Sequence, residues 1–232
     1  MSHKINKLLN IGLMSTGRGE GSLKLVRSIF NLSKIQPFNI SFIFCNREKG
    51  ESPKTDLFLS EIEEYKIPLI TLSSKKHIQN TNNNSDRIEY EKKIEDSIKE
   101  FDFQFILGVG YLLIIYRLHK KFIIYNLHPA LPGGPKGTWG NVISELISKD
   151  FKETGLMIHE VSDDLDDGKV ISFCKFQINN NSNKSKEEKL KLIRSSMLDF
   201  ESRFVAKTLE LISINQINYR NNKKPVDISN LI

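Results

Sequence analysis

The chain has 232 residues, of which 39% are hydrophobic and 27% charged, a composition typical of a globular protein with one substantial core. Its net charge of +6 suits an anionic small ligand, but the lysines are spread through loops and no nucleic-acid-binding motif appears, so nucleic acid is not an expected partner. No apolar run approaches the roughly 18 residues that span a bilayer, and the amino terminus lacks the apolar centre of a signal peptide, so we expect a cytoplasmic protein without membrane contact.

Patterns typical of strands and helices alternate along the chain, which predicts an α/β fold: a Rossmann-like, open, mostly parallel sheet with flanking helices. We expect the whole chain, residues 1–232, to form a single domain. Strands are predicted at residues 8–14, 40–45, 68–72, 105–109, 122–125, 154–161 and 169–177. Helices are predicted at residues 22–32, 55–65, 87–100, 141–148 and 186–214. The Asn- and Ser-rich stretches 73–85 and 179–183 are predicted loops, and the polar tail from residue 215 is expected to pack weakly.

The two cysteines, Cys45 and Cys174, lie in apolar strand-like runs and have no second cysteine at metal-ligand spacing. They are predicted to be buried free thiols in a reducing compartment. No metal site is predicted.

A glycine-rich turn at residues 15–22 joins the first predicted strand to the first helix. Glycines allow the backbone to approach a ligand closely, and the free N–H groups at a helix start attract anions. The spacing matches neither the dinucleotide-binding pattern nor a P-loop, so a nucleotide cofactor is not indicated. We therefore predict that a substrate phosphate binds at this turn, through Gly19, Glu20, Gly21 and Ser22. The alternative is a plain tight turn in which Ser22 caps the helix.

Polar groups stand beside strand ends at two further places. Asn126 and His128 close the apolar run at 122–125, and an acidic run at residues 163–167 follows the strand predicted at 154–161. In open α/β sheets ligands bind beyond the carboxyl ends of strands, so an amide, an imidazole and a carboxylate in these positions indicate one shared site. The alternative for Asn126 is a purely structural cap at the end of its strand.

Four stretches occur in the order seen in folate-dependent formyltransferases, which the chain therefore resembles over residues 8–213. They are the turn at 19–22, the Asn-Leu-His-Pro segment at 126–129, residues 155–159 and the Asp-Asp-Leu-Asp segment at 163–166. The Asn-x-His-Pro segment paired with the downstream Asp-x-x-Asp is the most specific part. The similarity is greatest to the single-domain members that formylate glycinamide ribonucleotide in purine synthesis.

The resemblance implies that a formyl group passes from 10-formyltetrahydrofolate to an amine, by direct attack and through a tetrahedral intermediate, without a metal. It places Asn126 and His128 at the formyl oxygen, as hydrogen-bond donors to the developing negative charge. It makes Asp166 the carboxylate that tunes His128 and relays protons. Asp166 is preferred to the other acids of the run by motif alignment alone. His159 is expected either to line the site or to be an ordinary strand histidine.

The resemblance also places the folate pocket near residues 108–115, where we assign contact to Tyr111, Leu112, Leu113 and Ile114. The arginine usual there in the family is replaced by an aliphatic residue, so we expect an apolar wall, with backbone groups reading the pterin edge. The family's serine after His-Pro is also absent. The loop that follows, residues 133–139, either contacts substrate through Lys136 and Trp139 or forms a rigid surface turn.

Three functions compete. The first is formylation of glycinamide ribonucleotide, with a phosphorylated amine and a folate as ligands of a monomer or homodimer. The second is formylation of an amino sugar nucleotide, which the phosphate-type turn disfavours. The third is a non-catalytic ligand-binding relative, which has no chemical need for an amide, an imidazole and an acid together. The sequence leaves the exact acceptor and the oligomeric state open.

Overall fold

The structure is a computed structural model that describes residues 8–79, 84–178 and 184–232. The loop predicted at 179–183 and residues 80–83 lie outside the described residues.

Within the described ranges the strands form one eight-stranded sheet in the order β3-β2-β1-β4-β5-β6-β7-β8. The strands are β1 (Leu9–Ser15), β2 (Phe38–Cys45), β3 (Leu69–Thr71), β4 (Phe105–Gly108), β5 (Ile124–His128), β6 (Glu153–Glu160), β7 (Val170–Gln177) and β8 (Val226–Asp227). The helices are α1 (Glu20–Ser33), α2 (Pro53–Glu64), α3 (Ser74–His77), α4 (Asn84–Ile98), α5 (Trp139–Ser148) and α6 (Lys186–Ser213). Single 3₁₀ turns lie at Leu118–Lys120 and Ser229–Leu231.

The predicted α/β fold with a mostly parallel open sheet is confirmed. Strands β1 to β5 pair in parallel, whereas β6 is antiparallel to both β5 and β7. The change of direction matters for the site. The carboxyl end of β6 lies beside the amino end of β5, where Val161 N–H donates to the Ile124 carbonyl at 2.7 Å.

Side chains that alternate along the buried strands pack against helices on both faces of the sheet. One face carries the larger core, which includes buried residues of α1, α2, α5 and α6. The other face carries a smaller core, in which Tyr90, Ile94 and Ile98 of α4 pack against Met14 and Phe44. None of the described helices is long and apolar enough to cross a bilayer.

Helices α1, α2, α4 and α5 all begin two or three residues earlier than predicted. Helix α1 starts at Glu20, with Gly19 as its N-cap and no side-chain capping bond, so Ser22 does not cap it as the alternative reading of this turn had it. Helix α5 starts at Trp139 rather than Asn141, because the Thr138 hydroxyl accepts the Asn141 N–H and caps it. Part of the loop predicted at 73–85 is the short helix α3.

The prediction that the tail beyond residue 215 packs weakly is wrong. Ile217 and Ile228 are 2% and 0% exposed, and β8 extends the sheet beside β7. The buried Tyr125 hydroxyl donates to the Tyr219 carbonyl at 2.5 Å. Isolated apolar residues in a polar segment are thus enough to seal the edge of the core.

We expect Ile228→Ala to destabilise the protein by about 2–4 kcal/mol, because it removes a fully buried side chain and leaves a cavity. Ile214→Ala, at a side chain that is 43% exposed, is the matched control and is expected to cost well under half as much. The free energy of unfolding in urea measures both. Equal losses in the two variants would contradict the packing of the tail.

Candidate active site

Asn126 and His128 lie within the last three residues of β5. The sequence had predicted a strand that ends at residue 125, with both residues just beyond it. Because side chains alternate along a strand, two residues that are two apart share one face of the sheet. His159 of β6 lies directly opposite Asn126 in the antiparallel register and joins the same face. The Asn126 amide nitrogen is 3.5 Å from His159 Nε2.

Asp166 also lies beside His128 and His159, but the path of the chain differs from the one that the strand-end argument assumed. Since β5 and β6 are antiparallel, the acidic loop leaves the sheet at the end where β5 begins. The loop folds back, with Asp166 in the left-handed region at φ 50°. Its carboxylate lies between two rings, 3.5 Å from His128 Nδ1 and 3.6 Å from His159 Nε2. Non-glycine residues in this conformation carry local strain and occur disproportionately at functional sites.

Asp166 differs from the other acids of its run by its burial. Its side chain is 8% exposed, whereas Asp163 and Asp167 are 72% and 60% exposed. Asp163 pairs with Lys120 and Asp167 with Lys136, each at 3.0 Å. Burial raises the pKa of Asp166, but the hydrogen bond from His159, the charge of His128 and the Gly137 N–H together hold that pKa below its ordinary value. The carboxylate is therefore ionised at neutral pH.

His128 is 2% exposed and stands between two acceptors. Its Nε2 is 2.9 Å from the Pro135 carbonyl, and its Nδ1 faces the Asp166 carboxylate. Neither oxygen can donate, so only the imidazolium can donate to both. Burial nevertheless lowers the pKa of His128, and the Pro135 carbonyl and Asp166 oppose that shift without cancelling it. Negative charge that develops beside His128 therefore favours protonation of its ring.

The loop at residues 133–137 covers the site. The Pro135 carbonyl accepts from His128, and Gly137 N–H donates to Asp166 Oδ2 at 2.8 Å. Gly133 and Gly137 both have positive φ, at 76° and 94°. Lys136 pairs with Asp167, so the charge of this lysine is already directed at the acidic loop.

The four residues predicted to bind phosphate form the start of α1, away from the Asp166 cluster in sequence. Gly19 is open, and a side-chain carbon placed there would meet nothing within 4 Å. The same carbon on Gly21 would lie 2.9 Å from Leu198 and 3.5 Å from an Arg194 guanidinium nitrogen. Ser22 Oγ packs instead against Gly110, where an added carbon would be 2.6 Å away. Glu20 is exposed in the first turn of the helix.

The four residues predicted to bind folate divide into two pairs. Leu112 and Ile114 are 52% and 46% exposed. Tyr111 and Leu113 pack against the smaller core, and burial raises the pKa of Tyr111 well above its ordinary value. The alternation is that of an extended segment, and it leaves two apolar side chains facing outward beside the carboxyl end of β4.

Sequence reasoning missed Arg194 and left His159 undecided. Arg194 of α6 is 2.7 Å from the buried Glu201 and lies over the Trp139 ring at 5.1 Å. Trp139 thereby packs with Arg194 at the start of α5. A carboxylate on the buried stripe of an amphipathic helix, as Glu201 is, was the available signal, because such a group needs a cationic partner.

Two surface depressions of about 490 and 430 Å³ lie elsewhere, one at the amino ends of β1 and β2 and the other between α1 and α2. Among the described residues, no group of three or more His, Cys, Asp and Glu side chains has the geometry to hold a metal ion.

A family model described as formyl transferase matches residues 37–200, which include β5, the covering loop and the acidic loop. The chain belongs to the formyl transferase family. The prediction that the chain is a formyltransferase is thereby confirmed. A phosphoribosylglycinamide formyltransferase from Dictyostelium discoideum is 26% identical over 173 residues, which cover 70% of this chain and 80% of that protein.

Solved structures share the fold. Glycinamide ribonucleotide transformylase 1 from Symbiobacterium toebii aligns with a TM-score of 0.73 at 14% identity, over 94% of this chain and 93% of that one. Phosphoribosylglycinamide formyltransferase from Coxiella burnetii aligns with a TM-score of 0.70 at 18% identity, over 93% and 92%. At these identities the likeness establishes the fold and leaves the acceptor open.

The lowered pKa of His128 makes stability depend on pH. Between the folded pKa and the ordinary value of about 6.5, the unfolded chain binds the proton more readily, so stability falls as pH drops from about 6.5. His128→Asn removes this titration. We expect the unfolding free energy of the wild type to fall relative to that of His128→Asn between pH 8 and pH 5, measured by urea denaturation. Parallel pH profiles would contradict the burial argument.

Proposed function

We propose that this chain transfers a formyl group from 10-formyltetrahydrofolate to the amine of glycinamide ribonucleotide, in purine synthesis. The observation that carries the proposal is the convergence of Asn126, His128 and Asp166, which come from one strand and a distant loop. The continuous sheet from β1 to β8 supports a single catalytic domain.

The amine attacks the formyl carbon, a C–N bond forms, and the carbonyl oxygen becomes an oxyanion. Asn126 Nδ2 and a ring N–H of His128 donate hydrogen bonds to that oxygen, and removing one such donor typically costs about 100- to 1,000-fold in rate. His128 Nε2 is engaged by the Pro135 carbonyl in this structure. Substrate entry therefore requires the loop at 133–137 to release His128, and the glycines at its ends supply the rotatable backbone.

Asp166 serves as the proton acceptor. Ionised at neutral pH and close to His128, it takes the proton that the attacking amine loses, through an intervening water. When the intermediate collapses, the bond from the formyl carbon to the folate nitrogen breaks, and that nitrogen gains the proton that Asp166 had taken from the amine. The electrostatic field of Asp166 also favours the imidazolium form of His128, whose own burial opposes it.

The acceptor's phosphate is assigned to the start of α1, at Gly19, Glu20, Gly21 and Ser22. The first N–H groups of a helix have no intrahelical acceptor, and the helix dipole favours an anion there. Open space at Gly19 and the guanidinium of Arg194 near Gly21 support this assignment. Glu20 opposes it with its own charge, which its exposure to solvent weakens.

The folate is assigned to the segment containing Tyr111, Leu112, Leu113 and Ile114. The exposed Leu112 and Ile114 supply the apolar surface for the pterin, and the inward Tyr111 and Leu113 anchor the segment to the core. No arginine is needed if backbone groups read the pterin edge.

The acceptor is tested with purified full-length chain, 10-formyltetrahydrofolate and three amines: glycinamide ribonucleotide, its unphosphorylated riboside and an amino sugar nucleotide. Release of tetrahydrofolate is followed by absorbance. We expect turnover with the ribonucleotide and a kcat/KM roughly 10- to 100-fold lower with the riboside, because charge-assisted hydrogen bonds to the phosphate are lost.

Turnover with the amino sugar nucleotide alone would reject the proposed acceptor. Equal rates with the ribonucleotide and the riboside would reject the phosphate site at the start of α1 without contradicting the proposed acceptor.

A further inference from the structure

Glu91 is a buried carboxylate that the proposed reaction does not use. It lies on the inward stripe of α4 among Tyr90, Ile94 and Ile98, and it is 3% exposed. A carboxylate in such a position is costly unless hydrogen bonds compensate for its lost hydration.

The compensation comes from the backbone of one turn. Glu91 Oε1 accepts the N–H of Tyr116, and Oε2 accepts those of Arg117 and Leu118, each at 2.8 Å. These are successive backbone donors that converge on one anion. The contacts span 25 to 27 residues of sequence, so they join α4 to the stretch between β4 and β5.

The other end of that stretch is held by the turn after β1. Thr16 N–H donates to the Gly110 carbonyl at 3.1 Å, and the Leu112 N–H donates to Thr16 Oγ1 at 3.0 Å. Thr16 is itself 3% exposed. Residues 110–118, here called the cleft segment, are therefore fixed at both ends by buried groups. The outward Leu112 and Ile114 lie between the two attachments.

We propose that Glu91 is a positioning residue for the formyl donor. It acts through the backbone of the cleft segment, and this role rests on the proposed function, which assigns folate contact to that segment. A pocket without the family's arginine depends on the shape of its backbone, and the shape here is set by a carboxylate on α4. Glu91 touches neither substrate.

Glu91→Gln tests this role, because it replaces one acceptor oxygen with an amide that cannot accept an N–H. We expect the amides of residues 116–118 to exchange with deuterium at least about tenfold faster, and the Kd for tetrahydrofolate and the KM for 10-formyltetrahydrofolate to rise about tenfold. The acceptor KM is expected to stay within about twofold of the wild type, because the start of α1 is untouched.

Glu95→Gln is the matched control. Glu95 lies one turn along the same helix and pairs with the Arg117 side chain at 2.8 Å, but it accepts none of these three backbone bonds. It is expected to leave exchange and folate binding unchanged. Thr16→Val removes the acceptor for the Leu112 N–H and so loosens the other end of the cleft segment. It is expected to weaken folate binding while leaving the acceptor KM unchanged, as in Glu91→Gln.

Unchanged exchange and folate affinity in Glu91→Gln would overturn the proposal. So would equal losses in donor and acceptor constants, since a merely structural residue gives that result. If Glu91→Gln does not fold, Thr16→Val becomes the deciding test. A Kd for tetrahydrofolate equal to that of the wild type in Thr16→Val would then overturn the proposal. If the wild type neither binds tetrahydrofolate nor turns over, the proposed function fails and the donor role fails with it, while the exchange data still report separately on the attachment of the cleft segment.

Discussion

The site depends on one buried carboxylate. Asp166 gathers a ring from β5, a ring from β6 and a backbone N–H from the covering loop around its two oxygens. Burial raises its pKa, and these three partners together hold that pKa below its ordinary value. Asp166 adopts this position with a left-handed backbone, a conformation that is uncommon outside glycine and that recurs at functional sites. The charge of Asp166 also favours protonation of His128, which burial disfavours.

The reversal of strand direction after β5 makes this arrangement possible. A parallel β6 would release its following loop at the carboxyl edge of the sheet. The antiparallel β6 instead places His159 opposite Asn126 and returns the acidic loop across the same face. The proposed donor side is built from the parallel half of the sheet, where Thr16 after β1 and Glu91 on α4 fix the cleft segment. Each half of the sheet thus supplies one side of the proposed site.

Apolar runs and their alternation were sufficient to predict the sheet and most helices, because these signals are local, and the strand ends drew attention to Asn126, His128 and the acidic run. The roles of these residues, and the choice of Asp166, came from the family resemblance. Contacts made across the fold were not predictable in the same way. The burial of Ile228, the capping of α5 by Thr138 and the pairing of Arg194 with Glu201 depend on which surfaces meet. The strand-end rule brought the acidic run near Asn126 and His128 by an incomplete argument, since it assumed parallel strands where β6 is antiparallel, and the choice of Asp166 within the run came from the family motif. Glu91 could have been noticed, because a carboxylate on an apolar helical stripe requires compensation.

The most direct measurement is the single-turnover rate of formyl transfer in Asp166→Asn beside Asp167→Asn. The two variants remove the same charge from adjacent positions, one buried and facing His128, the other 60% exposed and paired with Lys136. We expect Asp166→Asn to slow transfer by at least about 100-fold and Asp167→Asn to retain the wild-type rate. A folded Asp166→Asn enzyme that transfers the formyl group at the wild-type rate would contradict the account.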